Sequence, residues 1–232
     1  MSKKTSVSTA PDQREVVLGL LYLLFQQLIL PRLLTLANEM LNYPWSSARL
    51  ELIYFLINFL AVLLLFHDFL GRSLIHLGKH LISVLAAAFL GFCAYYVCNL
   101  ALTQVLLRFF PDFSNVNDAR VQFALELEFL PTALATVALV PMTEEVLYRG
   151  VVFRSLYYRN RFAAYALSTV LFCVIHVMGY MGQAEPLTLL LSAAQYVPAS
   201  LCLAWAYAKA DNIFAPILIH TIINAMGIMA VR

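Results

Sequence analysis

The stretch LPTALATVALVPMTEEVLYRGVVFRSLY, Leu130 to Tyr157, decides how the chain is read. It is long enough to cross a bilayer as one helix, which takes about 20 predominantly apolar residues. Yet its middle carries Thr143-Glu144-Glu145-Val146-Leu147-Tyr148-Arg149. An ionisable side chain at membrane depth costs about 2.5–3.5 kcal/mol on insertion scales, so such residues face the bundle interior, find partners and mark function. Glu145 and Arg149 stand four apart and can pair along one helix face. Glu144 points about 100° away and stays free for chemistry.

The rest of the chain has the same character. Of its 232 residues 62% are hydrophobic and 12% charged, with a mean hydropathy of +0.80. Those values fit a chain whose main solvent is lipid. Seven spans are expected, at about 15–36 (kinked or ended early by Pro31), 50–66, 80–107, 130–157, 162–181, 186–208 and 213–231. A basic connection at 71–79 and a polar loop at 110–118 separate some of them, and 119–129 reads as a surface helix. The expected fold is an all-α, polytopic transmembrane bundle of seven to eight helices. Residues 1–13 read as a disordered cytoplasmic tail, 14–232 as one membrane domain, with a catalytic core at about 130–231.

The net charge of +2, without clustered Lys and Arg, argues against a nucleic-acid partner. Cys93, Cys98, Cys173 and Cys202 lie in apolar runs without a C-x-x-C pair and read as small apolar residues. Retained loops on the cytoplasmic side are enriched in Lys and Arg. By that rule the N terminus is cytoplasmic, with Lys3, Lys4, Arg14, Arg72, Lys79, Arg154, Arg159, Arg161 and Lys209 on its side. The expected location is multi-pass in a bacterial plasma membrane.

Two further spans carry polar residues at helical spacing: Phe172 and His176, then His220 and Asn224. Glu145 lies 15 residues before Asn160 and His176 lies 16 after it. In an antiparallel hairpin both then sit about 22–24 Å from the turn. A carboxylate beside a neutral imidazole can deprotonate a water for attack on a carbonyl, a task that fits Glu144 and His176. His220 and Asn224 can donate to the developing oxyanion. The same residues also permit a zinc held by Glu144, His176 and His220, with water as fourth ligand, so the cofactor is either none or one divalent metal.

The three motifs Glu144-Glu145-x-x-x-Arg149, Phe172-x-x-x-His176 and His220-x-x-x-Asn224 resemble the signatures of the CPBP intramembrane proteases, which include Rce1-type CAAX prenyl endopeptidases and bacteriocin-processing or immunity proteins. The resemblance implies about eight helices around a cavity at membrane depth, open toward the cytoplasmic side. It implies peptide-bond hydrolysis by water activated at Glu144 and His176, an oxyanion site at His220 and Asn224, and Glu145 with Arg149 as shaping, charge-balancing partners. The implied partners are membrane lipid and a membrane-associated peptide, prenylated or a bacteriocin or signalling peptide. A non-catalytic immunity or scaffold protein of the same fold is the alternative. A small proton-coupled transporter would be expected to show two related halves, and none is seen.

Overall fold

The structure is a computed structural model that describes residues 9–230. Among the described residues there are eight helices, and six of them are long and apolar enough to cross a membrane. These are α1 (Gln13–Glu39), α2 (Ser47–Leu65), α3 (His67–Phe109), α5 (Phe129–Tyr157), α6 (Arg161–Met178) and α7 (Pro186–Ala210). Between α3 and α5 lies α4 (Val116–Leu127). The chain ends its described part in α8 (Phe214–Ala230), apolar but shorter. This is an integral membrane protein of all-α fold.

Sequence chemistry sets the helix ends and breaks. Asp12 and Glu15 form a reciprocal capping box, each side chain accepting the other's backbone N–H at 2.7 Å. Ser46, Asn115 and Asn160 cap α2, α4 and α6 through their side-chain oxygens. Pro31 and Pro198 lack the N–H that would continue the ladder, and α1 and α7 break just ahead of them, at Ile29 and Tyr196. In α5, Ala135–Leu139 and Glu145–Phe153 are π-helical, and Pro141 lies between them. Such widened turns recur at functional sites.

Two expectations need correction. The basic stretch 71–79 is not a connection: α3 runs from His67 to Phe109, bent at His80. Its charge is accommodated because Arg72 Nη2 lies 2.7 Å from Glu15 Oε2. The tail read as loose through Gln13 is packed where it is described. Gln13 opens α1, and Tyr207 Oη donates to the buried Thr9 carbonyl at 3.0 Å. Residues 1–8 lie outside the described part. The capping box was the overlooked signal.

α5 is the central element. Half of its most apolar window is buried, against 17–28% in the other five long helices. Val146, Leu147, Tyr148 and Phe153 are wholly buried. Gly19 lets α1 close on α5, since a Cβ there would meet Val151 at 2.5 Å and Phe66 at 2.8 Å. Around this core, large apolar side chains such as Leu21, Leu64, Ile82 and Leu190 are exposed, as lipid-facing surfaces require.

The two ends of the bundle are each tied by polar contacts. At the N-terminal end, Asn212 Nδ2 donates to the Ser73 carbonyl at 2.8 Å and Arg154 pairs with Asp211. At the far end, Arg49 pairs with Glu128 at 3.1 Å, Arg120 with Glu51, and Asn115 Nδ2 donates to Gln195 Oε1 at 2.9 Å. α4 therefore lies at the far end, fastened to both α2 and α7.

Candidate active site

A cavity of about 990 Å³ occupies the far half of the bundle. Its wall includes Glu144, Phe172, His176, Tyr196, His220 and Asn224, contributed by α5, α6, α7 and α8. The hairpin of α5 and α6 brings its two polar residues to one level, as their spacing from Asn160 implies. The imidazole Nε2 of His176 stands 4.0 Å from Glu144 Oε2, with both side chains largely buried.

The tautomer of His176 follows from its other nitrogen. Nδ1 lies 2.7 Å from the Phe172 carbonyl, which can only accept, so Nδ1 carries the proton. The neutral ring then presents the Nε2 lone pair toward Glu144. A gap of 4.0 Å is too long for a direct hydrogen bond but is spanned by one water oxygen about 2.8 Å from each group.

Behind this pair lies a second, fully buried set. Arg149 Nη1 donates to Glu145 Oε1 at 3.2 Å, and both side chains are shut from solvent. His220 Nδ1 reaches the same oxygen at 2.8 Å. The Arg149 guanidinium also sits 4.0 Å from the centre of the Phe172 ring, a cation–π contact strengthened by desolvation. Glu144 Oε2, Glu145 Oε2, and Arg149 Nε and Nη2 have no hydrogen-bond partner among the described residues. Asn224 is anchored differently: its Nδ2 donates at 2.8 Å to the Thr136 carbonyl in the first π-helical turn of α5.

Five of the six residues singled out from the sequence thus form one connected cluster through direct contacts and the Phe172 ring, and Asn224 shares the cavity wall with them. His220 is held directly on Glu145. The geometry adds two residues that had no assigned role. Phe172 is a hub, with His176 at 4.5 Å, His220 and Tyr148 at 6.0 Å and Arg149 at 4.0 Å. Tyr196 stacks on His176 with centroids 4.0 Å apart. Its hydroxyl donates to Asp118 Oδ1 at 3.0 Å and accepts from Asn117 Nδ2 at 3.1 Å, so α4 holds the ring in place. The local signal was Pro198, whose break in α7 falls at Tyr196.

Among the described residues no three His, Cys, Asp or Glu side chains are disposed to hold one ion, Glu144, His176 and His220 included.

The family model described as type II CAAX prenyl endopeptidase Rce1-like matches residues 126–226, which contain all three motifs. Over these residues, somewhat under half of the chain, it is similar to the Rce1-like family. The matched region takes in α5 to α7 and most of α8, and leaves α1 to α3 and nearly all of α4 outside. The chain is also similar to the UPF0177 protein YxdF of Lactococcus lactis subsp. lactis (strain IL1403), 29% identical over 94 residues. That stretch is 40% of this chain and 46% of the relative, so the similarity spans under half of either protein. No solved structure matches the chain.

Proposed function

We propose that this protein is an intramembrane endopeptidase that hydrolyses a peptide bond of a membrane-associated polypeptide. The observation that carries the reading is the Glu144–His176 pair, facing across 4.0 Å on the wall of a cavity at membrane depth. Glu144 takes a proton from the water between them, and His176 Nε2 accepts that water's other O–H and orients it. The water oxygen bonds to the scissile carbonyl carbon. The oxyanion that forms can draw on the remaining N–H of the Asn224 amide and, when the His220 ring carries both protons, on His220 Nε2–H. As the tetrahedral species collapses, the C–N bond breaks and Glu144 returns its proton to the leaving amine. Glu145 and Arg149 keep the floor of the site charge-balanced and hold His220.

The test is cleavage of a panel of membrane-anchored peptides by purified protein in lipid, read by mass spectrometry, with metal content measured on the same sample. Discrete cleavage supports the peptidase reading, and activity that tracks a bound divalent ion would return Glu144, His176 and His220 to the role of ligands. Absence of any cleavage across prenylated and unmodified peptides favours the scaffold alternative, which makes no use of an unpartnered carboxylate on a cavity wall.

Tyr196 gives a sharper check. Tyr196→Ala removes both the stack on His176 and the tether to α4, and is expected to lower kcat by about 10–100-fold with a smaller change in KM, the scale at which slight misplacement of a reacting group acts. Tyr196→Phe keeps the stack and should recover most of the loss. Equal defects in the two variants would mean that the ring does not position His176.

A further inference from the structure

The cavity and the basic residues lie at opposite ends of the bundle. Seven described Lys and Arg, among them Arg72, Lys79, Arg159 and Arg161, belong to the end where α1 begins; four, Arg32, Arg49, Arg108 and Arg120, belong to the far end. The sequence adds Lys3 and Lys4 ahead of α1 and Arg232 after α8, which makes nine against five. Every connection is short, the condition under which such a bias sets orientation. Acidic partners occur at both ends, Glu128 and Glu51 at the far one and Glu15 and Asp211 at the other, and the bias counts Lys and Arg alone. The N-terminal end is thereby the cytoplasmic one.

The cavity lies in the other half. Its lining comes from the second half of α1 and of α3, the first half of α2, α5 as far as Glu144, the closing turns of α6, the middle of α7 and α8 from His220 onward, with α4 beside it. Apart from the mid-helix residues of α7 and His220, which close the floor, those portions are the parts of their helices farther from the N-terminal end. A mouth toward the cytoplasm, the expectation drawn from family resemblance, and a cytoplasmic N terminus cannot both hold for this architecture.

We propose that the site opens to the non-cytoplasmic face and receives a polypeptide that has already left the cytoplasm, either an exported peptide or the outer flank of a membrane protein. The word substrate rests on the peptidase reading; the direction of access does not. The rim is consistent with arrival from that side, because the charged Glu51, Asp118 and Arg120 line it near the helix ends, whereas Glu144 lies further along α5.

The test uses the full chain in the plasma membrane of a bacterial host, with a membrane-impermeant maleimide. Asn42→Cys lies in the exposed turn between α1 and α2. Thr103→Cys lies inside the cavity, at a position that accepts from Gln195 Nε2 at 3.4 Å. Arg159→Cys lies at the opposite end, and the parent chain, with its four free cysteines, reports background. The expected result is labelling of Asn42→Cys and Thr103→Cys in intact cells, and of Arg159→Cys only after permeabilisation. Labelling of Thr103→Cys that requires permeabilisation, or that never occurs, overturns the proposal, as does the reverse pattern for the two end positions. Because the readout does not depend on turnover, an inactive protein with the expected labelling would count against the peptidase reading alone.

Discussion

Glu144→Gln is expected to lower the rate of peptide cleavage by about 10²–10⁴-fold, the contribution of a positioned general base, while the protein remains folded and inserted. The substitution keeps the shape of the side chain and removes its ability to take a proton. Glu144 Oε2 has no hydrogen-bond partner among the described residues, so no structural contact of that atom is lost. Glu144 is also separate from the buried Glu145–Arg149–His220 set, so the packing of α5 against α6 and α8 should survive. Cleavage rate and thermal unfolding of the same preparation check the two halves of this expectation. A variant that cleaves at the parental rate would remove Glu144 from the chemistry.

Arg149→Met is expected to act in the opposite way, through stability. Breaking a fully buried ion pair by removing one partner leaves an uncompensated charge and costs about 3–5 kcal/mol. Here the orphan would be Glu145, whose side chain has no solvent exposure. The cation–π contact with Phe172 goes with it. The double variant Glu145→Gln/Arg149→Met removes the stranded charge and should recover part of the loss, because a neutral amide can still accept from His220 Nδ1. Equilibrium unfolding in mixed micelles measures both. If the double variant were as unstable as the sum of the single ones, the pair would be acting independently and the network would be misdrawn.

Much of this was legible in the residues. Glu145 and Arg149 at i, i+4 imply a pair, and the distances of Glu145 and His176 from the turn at Asn160 imply one depth. Both follow from the fixed rise of a helix, which a sequence reports well inside an apolar run. The fold class was equally plain, since only helices satisfy their backbone within lipid without closing a barrel. What escaped notice depended on contacts between distant segments. Tyr196 looks like any tyrosine until α7 breaks beside Pro198 and α4 supplies Asp118 and Asn117. The stretch 71–79 looks like a loop because it is basic, and it is helical because Glu15, far away in sequence, neutralises Arg72. The last residues of the polar tail look unstructured because composition outweighs a short D-x-x-E capping signal.

The break between the family-matched region and the rest of the chain falls just before α5. Every side chain assigned to bond making and breaking comes after residue 128, while much of the entrance comes from α1, α2, α3 and α4. If the protein is the peptidase proposed above, reaction and admission are drawn largely from separate halves of one polypeptide. On the peptidase reading, a graft of the first half that kept Asn117 and Asp118, which hold Tyr196 against His176, would change which chains are let in and leave the reaction as it is.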